Sequence, residues 1–286
     1  MISLLLAVIM GVIVKIVYKY IEDKDIDGDS VMVINYVVTI AIASVLCIKN
    51  GIFSTIGIPE NRISIIWCVV LGIFQAVMLV YNFLAIRKGI ADCGASMTTV
   101  FSSIGNMFTV LISVLLFREM PYMIQWIGIV LAFGAIILTN VDFEHGLQWS
   151  FKTVLLWIAF MTCLMGINYK VIQTYTVTGY DNLFLLVSFF LSLLLSLVIF
   201  RKKHCKYRIR EVIFGIIIGV PNIASSYFII SALKTVPATA VYPINSAGSI
   251  IVTVIVCAFL FHEKLKKNEI LAILMTVIGV VFINLN

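Results

Sequence analysis

Ten apolar runs follow one another along the chain, at residues 1–20, 31–48, 63–85, 93–117, 121–140, 151–174, 183–200, 211–233, 237–261 and 267–285. The shortest is 18 residues long, and none holds more than two charged side chains. A helix needs about 20 apolar residues to cross the hydrocarbon core of a bilayer, so each run is long enough to span. In lipid every backbone N–H and C=O must find a protein partner, which leaves only helices and closed barrels. Barrel strands would show roughly ten-residue stretches of alternating apolar and polar side chains, and these runs are apolar all round. The expected fold is therefore all-α and integral to a membrane, with ten transmembrane helices. Composition closes the soluble alternative. Hydrophobic residues are 62% of the chain and charged ones 12%, against about 45–50% and about 25% in soluble domains. So few charges could not cover the surface of a globule.

The net charge of +6 does not point to nucleic acid. Six of the twenty Lys and Arg fall between Arg201 and Arg210, in one loop between two apolar runs. That is the pattern of a segment lying against anionic lipid headgroups, and no loop is long enough to fold into a basic surface. Cys47, Cys68, Cys93, Cys163, Cys205 and Cys257 form no C-x-x-C pair, and most read as small buried hydrophobes. The first run is a full span without a small-residue cleavage site, so it reads as a helix of the mature protein.

The runs repeat. Met10-Gly11-x-x-x-Lys15 of the first matches Met165-Gly166-x-x-x-Lys170 of the sixth, 155 residues on. Gly72, Gln75, Ala85 and Arg87 of the third match Gly219, Asn222, Ala232 and Lys234 of the eighth, 147 residues on. Ser102, Thr109, Leu116, Phe117 and Glu119 match Ser246, Thr253, Leu260, Phe261 and Glu263 at 144, as does Asn140 with Asn284. Three pairs in one order, with shifts that drift by a few loop residues, describe two copies of a five-helix unit. Five is odd, so the second copy enters from the opposite side and the copies form an inverted repeat. The expected units are residues 1–141 and 151–286.

The run Ala232-Leu233-Lys234-Thr235-Val236-Pro237-Ala238, the helix ending Leu260-Phe261-His262-Glu263-Lys264-Leu265 and the helix bearing Gly279 resemble the EamA-type repeat of the drug/metabolite transporter superfamily. Ala85-Ile86-Arg87 through Phe117-Arg118-Glu119-Met120-Pro121 to Gly134 is similar but looser. The resemblance covers essentially the whole chain. It implies ten helices and movement of a small metabolite, without naming which one. Two departures stand out. The proline often found midway along the fourth helix of each repeat is replaced by Asn106 and Ile250, with Pro243 a turn or two earlier. The membrane glutamate of the four-helix multidrug relatives has no counterpart in either first helix.

Polar side chains inside the spans mark the candidate site, because a charge at the bilayer centre costs about 2.5–3.5 kcal/mol on insertion scales. All fourteen acids lie in loops or at the ends of runs, which argues against a carrier driven through a deep carboxylate. Lys15 and Lys170 lie inside spans, each four residues after a glycine and on its face of the helix. They either meet an anionic or zwitterionic substrate or snorkel toward the interface. Thr98, Ser102, Asn106 and Thr109 share one face of the fourth span; Tyr242, Asn245, Ser246, Ser249 and Thr253 share one of the ninth. Gln75 with Asn82, and Asn222 with Ser225 and Ser226, add polar faces on the third and eighth. Lone Ser and Thr also serve as interhelical glue; the amides are costlier to bury and point to a cavity. Tyr242-Pro243 suggests a kink beside that cavity or a belt tyrosine. The candidate substrate-binding residues are thus Lys15, Gln75, Asn82, Thr98, Ser102, Asn106, Lys170, Asn222, Tyr242, Asn245, Ser246 and Ser249.

No metal-ligand cluster, P-loop, dinucleotide fingerprint or nucleophile elbow is present, so neither an enzyme, a metal site nor a cofactor is expected. The function expected is secondary transport of a small polar metabolite, amino-acid-like or otherwise zwitterionic, by alternating access. An exporter of hydrophobic cations or drugs and a flippase of a lipid-linked intermediate are the alternatives. The expected partners are the substrate and the lipid of a bacterial-type plasma membrane, with a monomer and a homodimer both compatible. Lys and Arg counts place both termini outside, whereas the family resemblance implies both inside.

Overall fold

The computed structural model describes the chain from Ile2 to Leu260 except residues 23, 25, 57, 119, 140–152, 178 and 202–207, and beyond 260 it describes residues 270, 271, 274, 275, 278, 279 and 282. The helices are α1 (Ile2–Glu22), α2 (Gly28–Lys49), the single turn α3 (Ile52–Thr55), α4 (Arg62–Phe117), α5 (Met123–Thr139), α6 (Thr153–Tyr175), α7 (Tyr180–Phe200), α8 (Ile209–Leu233) and α9 (Ala238–Leu260). No strand occurs among the described residues. Eight helical stretches among them are long and apolar enough to cross a membrane. The fifth apolar run forms α5, of 17 residues. Most of the tenth run lies outside the described residues, as do Glu119, Asn140, His145, Trp149, His204, Cys205, Phe261, His262, Glu263, Asn284 and the middle of the basic loop.

Local chemistry sets the helix boundaries. Asp27 caps α2, its carboxylate accepting from the Asp29 N–H at 3.2 Å and the Ser30 hydroxyl at 2.5 Å. That satisfies donors which no preceding helical turn can reach. α4 is two spans joined without a loop, Pro59–Ala95 and Met97–Phe117. They are divided at Gly94, with φ 84° and ψ 164°, a region open essentially to glycine alone. The Thr98 hydroxyl donates to the Gly94 carbonyl at 2.9 Å and starts the second arm.

α1, α2, α4, α6, α7, α8 and α9 each pack more on helices of the other half than on their sequence neighbours. α1 and α2 lie against α8, and α1 also against α9. Both arms of α4 lie against α6, the first arm also against α7 and the second against α9. Close approach is bought with glycine: a Cβ on Gly72 would stand 2.7 Å from Val187 Cγ1, and one on Gly219 2.8 Å from Val38 Cβ. Without a hydrophobic drive between helices in lipid, such tight contact is a main source of association. Several buried hydroxyls are satisfied along their own helices: Ser102, Ser103 and Ser188 each donate to the carbonyl four residues earlier. The outer surface is apolar, with Leu115 77%, Phe259 77% and Val198 70% exposed. A contiguous apolar surface of this kind is a liability in water and ordinary against lipid tails.

Candidate functional site

Where α1, α4, α6, α8 and α9 converge they leave a cavity of about 170 Å³. An engineered cavity of about 150 Å³ in another protein holds benzene, so this one admits a molecule of roughly six to ten heavy atoms. Its walls combine Leu79, Phe83, Met165 and Ile229 with Lys15, four asparagines and a set of hydroxyls. No Asp or Glu lines it.

Lys15 dominates the electrostatics. It is half-buried and has no hydrogen-bond or ion-pair partner among the described residues. It lies three residues past the middle of α1, about 4.5 Å along the helix axis. Its four-carbon stem reaches roughly 6 Å further, and even fully extended toward the nearer interface the head would stop short of the core's half-thickness of about 15 Å. The Cα–Cβ bond also tilts toward the helix N-terminus, away from that interface. Snorkelling therefore explains this lysine poorly, while the cavity wall accounts for where it stands.

Of the twelve residues picked out by sequence, the structure brings eight to the lining: Lys15, Asn82, Ser102, Asn106, Asn222, Tyr242, Asn245 and Ser249. Several brace the walls as well. Asn106 Nδ2 donates to Ser246 Oγ at 3.0 Å, joining α4 to α9, and Asn222 Nδ2 donates to Asn35 Oδ1 at 3.1 Å, joining α8 to α2. The Tyr242 hydroxyl donates to the Gly166 carbonyl at 2.5 Å, so this tyrosine crosses from α9 to α6 and is no belt residue. The other four stand outside the lining. Gln75 is fully buried in the α4–α6 contact, accepting from Asn168 Nδ2 at 2.8 Å. Thr98 spends its hydroxyl on Gly94. Ser246 is held behind Asn106. Lys170, expected as the twin of Lys15, is buried with its ammonium donating to Gln173 Oε1 at 3.1 Å and lying 5.7 Å from the centre of the Phe117 ring.

Sequence reasoning passed over Asn35, Asn168 and Tyr169. Asn35 and Asn168 are amides inside apolar runs, the signal that selected Gln75. The Tyr169 hydroxyl donates to Ser226 Oγ at 3.0 Å across the cavity, and nothing in its spacing sets it apart from a packing tyrosine. It also passed over two ion pairs at the span ends: Arg87 with Asp29 at 2.6 Å and Lys234 with Asp181 at 2.8 Å.

A family model described as the EamA-like transporter family matches residues 1–141 and again residues 146–285. A search of curated proteins finds no match. One solved structure, described only as a crystal structure of a protein, superposes with a TM-score of 0.68 at 13% identity. The match covers 97% of this chain and 96% of that one; at that identity the likeness concerns the fold alone.

Proposed function

Since the chain belongs to the EamA-like transporter family, membrane transporters of the drug/metabolite type, we propose that it is a secondary carrier of a small polar metabolite that bears a carboxylate. An amino-acid-like zwitterion is the leading form, and alternating access is the mechanism. One observation carries this reading: an ammonium with no partner among the described residues lines a mid-span cavity whose mixed wall sets amides and hydroxyls among apolar side chains. Lys15 supplies the counter-charge for the carboxylate, in a charge-assisted hydrogen bond stronger than a neutral one. Asn82, Asn106, Asn222, Asn245 and the hydroxyls exchange hydrogen bonds for the hydration that the substrate leaves behind. Gln75, Thr98, Lys170 and Ser246 act on this reading as supports behind the wall.

The ten-helix inverted repeat belongs to the same proposal. The double family match supports it, and so does the agreement between contacts. Gly72 meets Val187 as Gly219 meets Val38. The Cys68 thiol donates to the Tyr180 carbonyl where a Cβ on Gly215, 147 residues after Cys68, would meet the Val31 carbonyl.

The test is a thermal-shift screen of the purified protein against the common amino acids and the hydroxy acids of matching skeleton. A ligand that binds only the folded state, at a hundred times its Kd, adds about 2.7 kcal/mol of stability. At least one carboxylate is expected to raise the melting temperature, and Lys15→Met and Asn222→Leu to abolish that rise. A panel without effect on wild type, or a shift unchanged in both variants, refutes the site.

A further inference from the structure

The helices that surround the cavity fall into two groups by packing. α1, α2 and α8 form one: Ser225 Oγ donates to the Ala7 carbonyl at 3.1 Å and Asn222 reaches Asn35; α9 touches this group, where a Cβ on Gly248 would meet Val8 at 3.1 Å, but packs more extensively on α4. α4, α6 and α7 form the other: Asn168 reaches Leu71 and Gln75, Thr109 donates to the Cys163 carbonyl at 3.2 Å, and Ser192 donates to the Ala76 carbonyl at 3.4 Å. The groups meet where α2 lies on α7 and where α1 lies on α9 and α4, and the cavity lies between them, lined from both sides.

The two ion pairs at the span ends among the described residues cross from one group to the other. Asp29 is on α2 and Arg87 on the first arm of α4. Asp181 is on α7 and Lys234 closes α8. They sit at opposite ends of α2. Asp29 is the second residue of that 22-residue helix. Asp181 lies beyond its other end, where the Tyr180 hydroxyl lies 3.1 Å from Thr55 Oγ1 of α3 and the Val177 N–H donates to Ser64 Oγ. At 1.5 Å per residue the two ends are roughly 30 Å apart, the thickness of the hydrocarbon core. Arg87 follows the lining residue Ile86 directly, and Lys234 comes five residues after Ile229. Arg87 and Lys234 occupy matching positions of the repeat, 147 residues apart. Gly28 has no side chain because the Arg87 guanidinium fills that space: a Cβ there would overlap it.

We propose that Asp29–Arg87 and Asp181–Lys234 are two latches, one at each face of the membrane, and that each must break for the cavity to open at its own face. This rests on the carrier reading above. Both ion pairs are formed here, at 2.6 and 2.8 Å. Opening the α2 N-terminal end separates α2 from α4 and parts Asp29 from Arg87. Opening the other end separates α7 from α8 and parts Asp181 from Lys234. A carrier holding one latch while the other opens exposes its cavity to one side at a time.

The experiment reads accessibility. In full-length protein freed of its native cysteines, Ser102→Cys places a thiol on the cavity wall. The protein is reconstituted in vesicles, and a membrane-impermeant maleimide is added from either side. An exposed Ser54→Cys in a parallel sample identifies the face at which Asp181 lies. Arg87→Gln is expected to raise labelling about tenfold from the Asp29 face only, and Lys234→Gln from the Asp181 face only. Gly28→Ala, which crowds the guanidinium without changing charge, repeats the Arg87→Gln result if that variant folds poorly. The exchange Asp29→Arg with Arg87→Asp returns labelling toward wild type. Responses from the same face, or none in any variant, overturn the latches. Uptake by wild-type vesicles of the ligand chosen in the stability screen is measured separately, so the latches can fail while the carrier stands, and the reverse.

Discussion

Replacing Lys15 with methionine separates a binding lysine from a structural one, because the two roles predict opposite signs. Methionine keeps most of the stem and removes the charge. The ammonium now stands about 10 Å at most from the middle of the span with no partner among the described residues, where a lysine costs up to about 2.5–3.5 kcal/mol on insertion scales. Part of that cost is already relieved because the side chain faces a cavity rather than lipid. Removing it is expected to stabilise the protein by about 1–2 kcal/mol. The same change deletes a charge-assisted hydrogen bond to the substrate carboxylate, about 1.5–3 kcal/mol, so the Kd should rise roughly ten- to a hundredfold. Thermal unfolding of the unliganded protein and calorimetric titration with the screened ligand measure the two effects. Lys170→Met is the control. Its head donates to Gln173 and lies over Phe117, so its loss is expected to cost about 1–2 kcal/mol of stability and to leave affinity alone. If Lys15→Met destabilises the protein and leaves affinity unchanged, Lys15 is structural and the argument from the cavity fails.

Gly94→Ala is expected to lower stability by about 1–3 kcal/mol, since a Cβ would meet nothing within 4 Å and only the φ of 84° opposes it; a neutral result in a melting experiment would contradict the division of α4. Gly72→Ala and Gly219→Ala should each cost about 1–3 kcal/mol by overpacking, and Val187→Ala or Val38→Ala should restore part of the loss in the matching double variant, read by thermal unfolding. Tyr242→Phe removes the side-chain donor that the Gly166 carbonyl accepts from α9; a loss of about 0.5–1.5 kcal/mol is expected, and an unchanged melting temperature would show that the bond between α9 and α6 contributes nothing.

Much of the fold was legible because lipid imposes one rule, that a span must satisfy its own backbone, and the apolar runs obey it. The cavity was legible where cost was the signal. Buried amides are expensive, and Asn82, Asn106, Asn222 and Asn245 reached the lining. The reasoning missed where two residues carry the same cost and meet different neighbours. Lys15 and Lys170 share their Met-Gly spacing, and only the fold shows that Phe117 and Gln173 cover one while a cavity faces the other. Gln75 and Asn168 are the same kind of case: two amides paired with each other satisfy the rule as well as an amide facing a substrate.

The latches were out of reach for a different reason. Matching the repeats did align Arg87 with Lys234, but a charge at the end of a span has a cheap explanation in water and in the helix dipole, so nothing in the sequence asked for a partner. The partners lie 58 residues before Arg87 and 53 before Lys234, on helices whose contacts follow from the interleaving of the two halves. That interleaving is itself invisible to periodicity. A repeat read from sequence suggests two bodies that coincide with the two copies. The packing instead joins α1 and α2 to α8, and α4 to α6, α7 and α9. Each latch is therefore local to one copy and yet crosses between the packed groups. An ion pair inside a rigid unit could not report on opening; one that spans the gap between units must break when the gap widens. The choice of moving bodies thus decides whether these four charges are ornaments of the span ends or the restraints on access.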